Sequence, residues 1–296
     1  MELRKIFKVK TVIGLILMGY SLVLSLSGCG GKSDFLLSEY RKRNLVKDSR
    51  GNQYKIVYKS KFPHGYGCYI FLYRSLDKGK TWAKLSTVQI PDDYETYFVE
   101  ESDLCIGSND TFYFVCARGK IIFSKSVDKG KTWSRAKVVY DREGIWQPTI
   151  FVDSQGVIYI LCGSMLFTSY DGGKTWTGPK AIRSGNDPFF CEGEKGVIYL
   201  TYVRGKRQNI IFLSYSKDRG KSWHTETTGE LPLMVKEPYI SLEGKSIYLI
   251  FQGARPTISH LIPGSKLDYH VYYLKSNNGG KSWGKMIRLK EKGGGG

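Results

Sequence analysis

The 296-residue chain is short of acid: 27 Asp+Glu stand against 45 Lys+Arg, a formal net charge of +18. Its six cysteines supply no Cys-x-x-Cys pair and no Cys/His spacing of the zinc kind, so no metal and no cofactor is expected. An apolar run from Val12 to Leu26 is too short and wrongly flanked for a membrane-spanning helix. One stretch is conspicuous for what it omits: residues 58–74, "YKSKFPHGYGCYIFLYR", contain no Asp or Glu, and His64 is their only group that titrates near neutral pH.

Residues 1–28 read as a leader. Arg4, Lys5, Lys8 and Lys10 precede the apolar run, which ends in Leu26-Ser27-Gly28-Cys29. This order is that of an export signal, and its ending resembles the lipobox of bacterial lipoproteins. The resemblance implies cleavage before Cys29, acylation of that cysteine, and residues 29–38 as a short tether. The expected setting is a bacterial cell envelope, at an outer membrane or the cell surface. Removing residues 1–28 leaves 41 Lys+Arg and 26 Asp+Glu, a charge of +15. Such a surface favours anionic neighbours, including lipid headgroups and acidic glycans; export argues against nucleic acid. Five cysteines then remain within the domain, an odd number, and Cys105 and Cys116 flank a turn near 108–110 as candidate cross-strand neighbours.

What is abundant is repetition. "SLDKGKTW" at 75–82 returns as "SVDKGKTW" (126–133), "SYDGGKTW" (169–176), "SKDRGKSW" (216–223) and "SNNGGKSW" (276–283). The tryptophans Trp82, Trp133, Trp176, Trp223 and Trp283 are 51, 43, 47 and 60 residues apart, a spacing that suits one four-stranded sheet per repeat. Each copy follows an apolar or alternating segment and precedes a more polar one, so it reads as a hairpin. Gly79, Gly130, Gly173, Gly220 and Gly280 fall where a tight turn asks for positive φ. A second frame precedes each copy: "QPTIFVDSQGVIYIL" (147–161) aligns without gaps on "DPFFCEGEKGVIYLT" (187–201), and "EPYISLEGKSIYLIF" (237–251) follows closely. Each is an inner strand, a turn and a second strand bearing Tyr54, Tyr113, Tyr159, Tyr199 or Tyr248. The expected fold is all-β, a β-propeller of five four-stranded blades over residues 39–290, with a glycine-rich tail at 291–296. A sixth blade would need Ser33–Glu39 and the tail, which are too short.

The phrase Ser-x-Asp-x-Gly-x-Thr/Ser-Trp resembles the Asp-box of sialidases and other BNR-repeat proteins. The resemblance implies a structural role, away from any active site, for Asp77, Trp82, Asp128, Trp133, Asp171, Trp176, Asp218, Trp223, Asn278 and Trp283. Propeller geometry brings the starts of the inner strands together. Those positions read Arg41, Glu101, Gln147, Asp187 and Glu237, a candidate ligand pocket; the bland alternative is that those before proline are only turn residues. Arg41 in "YRKRNLV" matches the first carboxylate-gripping arginine of sialidases, although Lys42 and Arg43 replace the Ile-Pro that follows it in the family. Glu237 in "EPYI" is similar to the strand whose glutamate polarises the family's nucleophilic tyrosine. Arg255 falls near the second arginine. The family's acid/base aspartate has no counterpart in the acid-free stretch, and its nucleophilic tyrosine belongs to a sixth blade.

The leading expectation is therefore an envelope lipoprotein with a sialidase-like propeller that binds an anionic glycan or a protein partner without catalysis. A divergent exo-sialidase or other glycoside hydrolase, and a non-enzymatic assembly or scaffold factor, are the alternatives.

Overall fold

The computed structural model describes residues 45–60, 68–90, 102–117, 119–142, 147–183, 185–205, 207–255 and 267–289. They form five four-stranded sheets in which sequence neighbours are sheet neighbours. The first contains β1 (Leu45–Lys47), β2 (Gln53–Ser60), β3 (Cys68–Ser75) and β4 (Ala83–Val88). The second contains β5 (Ser102–Ile106), β6 (Phe112–Ala117), β7 (Lys120–Ser126) and β8 (Lys137–Asp141). β9 (Pro148–Val152), β10 (Ile158–Cys162), β11 (Met165–Ser169) and β12 (Thr177–Ala181) make the third. β13 (Asn186–Glu192), β14 (Ile198–Arg204), β15 (Ile210–Ser216) and β16 (His224–Thr227) make the fourth, and β17 (Met234–Glu243), β18 (Ser246–Ala254), β19 (His270–Ser276) and β20 (Ile287–Arg288) the fifth. Within these sheets the described strands pair antiparallel. These are the blades of the all-β propeller class, five among the described residues. The one helical element there is a single 3-10 turn, Glu194–Gly196, so no described helix is long and apolar enough to cross a membrane.

The residues fall into two compact units, one of 1–116 with 124–137, the other of 117–123 with 138–296. In the first, Tyr54 and Ile56 of β2, Ile70 and Leu72 of β3 and Phe112 and Phe114 of β6 are buried. In the second, β10, β14 and β18, the second strands of their sheets, are buried almost throughout, with Tyr159, Leu200, Tyr202 and Leu249 fully enclosed. Burying both faces of such strands removes the polar/apolar alternation, which is why they read as continuous apolar runs.

Each repeated phrase is a hairpin closed by its own side chains. In the first copy Ser75 Oγ donates to Asp77 Oδ1 (2.7 Å) and accepts the N–H of Gly79 (2.7 Å). The Thr81 N–H and hydroxyl donate to Asp77 Oδ1 and Oδ2 at 2.8 and 2.6 Å. The same four bonds recur around Asp128, Asp171 and Asp218. Asn278 keeps the frame in the fifth copy by reversing one bond: its Nδ2 donates to Ser282 Oγ at 2.8 Å. Two successive residues have positive φ in each turn, Lys78 (60°) and Gly79 (87°) in the first and Gly172 (71°) and Gly173 (84°) in the third. Two adjacent positive-φ residues give the primed turn whose twist matches a hairpin.

The box glycine is also a packing site. A Cβ on Gly130 would overlap Leu72 Cδ2 of the preceding sheet, and one on Gly173 would overlap the Phe123 ring. A Cβ on Gly220 would lie 2.9 Å from Tyr159 Cε1, and one on Gly280 2.7 Å from Leu213 Cδ2. The turn thus presses its backbone against the previous sheet, an approach no side chain permits. The tryptophan N–H is satisfied in two ways. Trp82 and Trp223 donate to the carbonyl of their own box glycine, while Trp133 and Trp283 donate to Ser86 Oγ and Thr227 O of the preceding sheet. The buried Trp176 Nε1 has neither partner among the described residues; its ring meets Phe123 edge-on at 5.1 Å.

The turns between the first two strands of the sheets hold carboxylates. Asp48 and Asp153 each cap two backbone N–H groups of their own turn and accept the hydroxyl of Tyr54 (3.0 Å) or Tyr159 (3.2 Å). Burial and the Asp48 carboxylate push the Tyr54 hydroxyl up to about 12. Asp153 is 1% exposed and takes Arg219 Nη1 at 2.9 Å, so a fully buried charge has a cation, a hydroxyl and two amides around it.

Cys105 and Cys116 are not cross-strand neighbours. Cys105 opposes Tyr113, and Cys116 opposes Ser102. The turn closes between Gly107 and Thr111, centred on Asn109, which shifts the register by three residues from a Cys105–Cys116 pairing. An odd shift puts the two thiols on opposite faces of the ribbon. The two are not bonded to each other.

Candidate functional site

Within the second unit, β13 lies against both β9 and β17, so three inner strands stand side by side. Each begins with the same device. Gln147, Asp187 and Glu237, with φ of 53°, 53° and 52°, immediately precede Pro148, Pro188 and Pro238. Left-handed backbone is unfavourable for residues with a Cβ, least so for Asn and Asp. In β13 and β17 the ladder register shifts at this step, between Asn186 and Phe189 and between Lys236 and Tyr239. Proline has no N–H to give the ladder, which makes it compatible with the bulge.

The bulges are linked. The backbone N–H of Glu237 donates to Asp187 Oδ2 at 3.0 Å, and Gln252 Nε2 donates to Glu237 Oε2 at 2.9 Å. Thr201 Oγ1 donates to the carbonyl of Pro238 at 3.2 Å. One residue past each proline, the Phe189 and Tyr239 rings stack with centroids 3.8 Å apart. Lys236 Nζ sits 3.8 Å from the centre of the Tyr269 ring. Asp187 and Glu237 are half-buried, and Gln147 and Arg255 are exposed. Arg255 is one residue beyond β18, three residues along from Gln252, so it stands at the same end of the fifth sheet as Glu237.

The register also separates this edge from the boxes. In the fourth sheet Ser216, which opens the box, lies beside Ile198 at one end of β14, whereas Asn186 lies beside Val203 at the other. The box hairpin and the Asp187 bulge are therefore at opposite ends of one sheet.

Of the residues singled out from the sequence, Asp187 and Glu237 are joined by a direct bond, and Gln147 occupies the equivalent place in the third sheet. Arg41, Glu101, His64 and the Cys29 anchor lie outside the described residues. Gln252, Lys236, Tyr269 and the Phe189–Tyr239 stack were not singled out. The aromatic residue following each Asp-Pro or Glu-Pro was the available signal for the stack. The described residues contain no cluster of three His, Cys, Asp or Glu side chains arranged to hold a metal ion. Chemically the edge offers two oriented carboxylates, a carboxamide and aromatic faces.

A fold of propeller blades, each closed by the same Ser-Asp-Gly-Thr/Ser-Trp hairpin, defines a class of repeat proteins. The BNR repeat-like domain model matches residues 45–228, more than half of the chain, and the chain belongs to that family. A curated relative is the Vacuolar protein sorting/targeting protein 10 of Arthroderma otae, 28% identical over 164 residues. The match takes in 51% of this chain and 11% of that protein, so the chain spans about a tenth of that relative's length. Among solved structures, a polysaccharide lyase, PL25-Ulvanlyase, bound to -[GlcA(1-4)Rha3S]-, superposes with a TM-score of 0.52 at 10% identity, over 83% of this chain and 82% of that one. A mutant of the GH43 protein BlXynB from Bacillus licheniformis gives 0.46 at 16% identity, over 83% and 54%. These structural likenesses are likenesses of fold.

Proposed function

We propose that this chain is an exported, lipid-anchored envelope protein whose inner-strand edge binds a saccharide without cleaving it. The observation that carries the reading is the Asp187–Glu237 link, built from two residues held in left-handed backbone before proline. Such conformations cost about 1–3 kcal/mol each and cluster where a position is used. Two half-buried carboxylates, each oriented by an N–H donor, are suited to accept the hydroxyls of a sugar. Arg255 supplies a guanidinium at the same sheet end for a carboxylate or sulfate on that sugar. Glu237 Oε2 is occupied by an N–H donor, an arrangement that suits an acceptor rather than an acid handing its proton to a leaving group. The acid-free stretch at 58–74 supports the same conclusion.

The test is a glycan array followed by calorimetry on the full chain in detergent micelles. Binding should favour acidic saccharides and fall at least tenfold, about 1.4 kcal/mol, in Glu237→Gln and Arg255→Ala. Binding unchanged in both variants would refute this placement. The lipid anchor is checked separately: palmitate labelling should vanish in Cys29→Ala, and labelling that persists would remove the anchor from the proposal.

The second reading is a glycoside hydrolase, favoured by one feature, the two carboxylates tied together at one edge. Turnover of a fluorogenic glycoside by the wild type, abolished in Glu237→Gln, would replace the binding reading with this one.

A further inference from the structure

The second position of the box is apolar in its first three copies, as Leu76, Val127 and Tyr170, and these side chains are 66%, 76% and 47% exposed. The fourth and fifth copies have the exposed polar residues Lys217 and Asn277 there. A single exposed leucine requires no explanation, but the same turn position left apolar and open in successive copies does. The backbone cannot fold these side chains away, because the Ser–Asp–Thr bonds lock each hairpin.

In the first unit the second box is tied to the sheet that carries the first. Ser86 Oγ donates to the carbonyl of Gly130 at 2.6 Å and accepts Trp133 Nε1 at 3.0 Å, which fastens the second box to the outer strand of the first sheet. The two tips carry Lys78, Lys80, Lys129 and Lys131. Lys129 pairs with Asp110 at 3.0 Å, while Lys78, Lys80 and Lys131 make no ion pair among the described residues. Asp77 and Asp128 are committed to their own serine and threonine, so four lysines and two aspartates leave the pair of tips at +2.

We infer that the first two Asp-box tips dock on an anionic lipid bilayer, with Leu76 and Val127 entering the headgroup boundary and the lysines lying among lipid phosphates. Two apolar side chains are far too little for a stable protein interface, which takes about 800 Å² from each partner. A bilayer boundary accepts shallow insertion, and each lysine near an anionic surface adds to the attraction. Charge complementarity with a chain of net +15 after residues 1–28 points to lipid phosphate as the occupant. The inference is independent of the saccharide reading, since it uses no residue of the inner-strand edge.

The full chain is reconstituted into vesicles of phosphatidylcholine alone or mixed with phosphatidylglycerol, and amide exchange at 75–82 and 126–133 is followed by mass spectrometry. Exchange at both tips should slow about tenfold in the anionic vesicles and recover at high salt, where lysine–phosphate attraction is screened. The double variant Leu76→Glu/Val127→Glu should lose that protection with an unchanged melting temperature, because both side chains are exposed. Lys78→Glu/Lys131→Glu should lose it too. Equal exchange in the two vesicle types would overturn the inference. So would protection that persists in detergent and grows with protein concentration, which would assign the tips to a second copy of the chain.

Discussion

Asp187 accepts the backbone N–H of Glu237 through Oδ2 at 3.0 Å, although 50 residues separate them. One left-handed residue thereby holds the next, and neither bulge is a local accident. The strain has a measurable signature. At an ordinary strand position alanine is more stable than glycine by about 0.5–1 kcal/mol. At 237 the order should invert, with Glu237→Gly more stable than Glu237→Ala by about 1 kcal/mol, since only the alanine retains the left-handed penalty. Denaturant midpoints of the two variants decide it. The usual order, with alanine ahead, would mean that the φ of 52° carries no cost.

Lys78 offers the same contrast at a turn. Its φ is 60°, in a place where the third and fifth boxes have Gly172 and Gly279. Lys78→Gly should raise stability by up to about 1 kcal/mol, the left-handed relief being partly cancelled by the freer unfolded chain. A lower melting temperature for Lys78→Gly would show that the lysine side chain contributes something the turn geometry does not reveal.

The box glycines should be far less tolerant. Gly130→Ala and Gly173→Ala combine left-handed strain with overlap onto Leu72 and Phe123, so each should lose about 2–5 kcal/mol. Gly156 is the control: its φ is 82°, but nothing lies within 4 Å of an added Cβ, and Gly156→Ala should cost about 1–2 kcal/mol. Similar losses at all three positions, by urea denaturation, would dismiss the packing role and leave only the turn.

These relationships were unequally visible in the sequence. The hairpins were legible because a turn is written locally: Ser75, Asp77, Gly79 and Thr81 lie within seven residues, and their bonds stay within that span. The inner strands and the tyrosines of the strands that follow them were legible because a repeat multiplies a weak signal by five. The glycines were read as turn residues only, since the Leu72 or Phe123 side chain they press against lies outside their own phrase. The Asp187–Glu237 bond was not legible, for the repeat predicts equivalent places but not which atom of one reaches the next. Proline marked the positions; the left-handed residue before it, against proline's own bias, did not show. Cys105 and Cys116 were misleading because equal distance from an assumed turn centre means little when the turn closes at Gly107–Thr111.

Acid should dismantle the boxes selectively. The hydroxyl and then the N–H of Thr81, followed by the Ser75 hydroxyl, hold the Asp77 carboxyl down to about 2. In the unfolded chain it titrates near 4. A carboxyl depressed by folding contributes fully above its unfolded value, and that contribution drains away as pH falls from about 4 toward 2. Asp128 and Asp218 are held at about 2 in the same manner, and Asp171 lower still. The fifth box has no such charge to lose: Asn278 fills the same frame with Nδ2 donating to Ser282 Oγ. That copy shows the substitution to be compatible with the turn, so Asp77→Asn should fold. It should melt below the wild type at pH 7, and the gap should narrow as pH falls toward about 2, where the wild-type carboxylate is half protonated. Melting curves of the two proteins between pH 7 and 2 give the comparison. A gap that stays constant through that range would mean that the charge on Asp77 contributes nothing, and that the box is held by the shape of its hydrogen bonds alone.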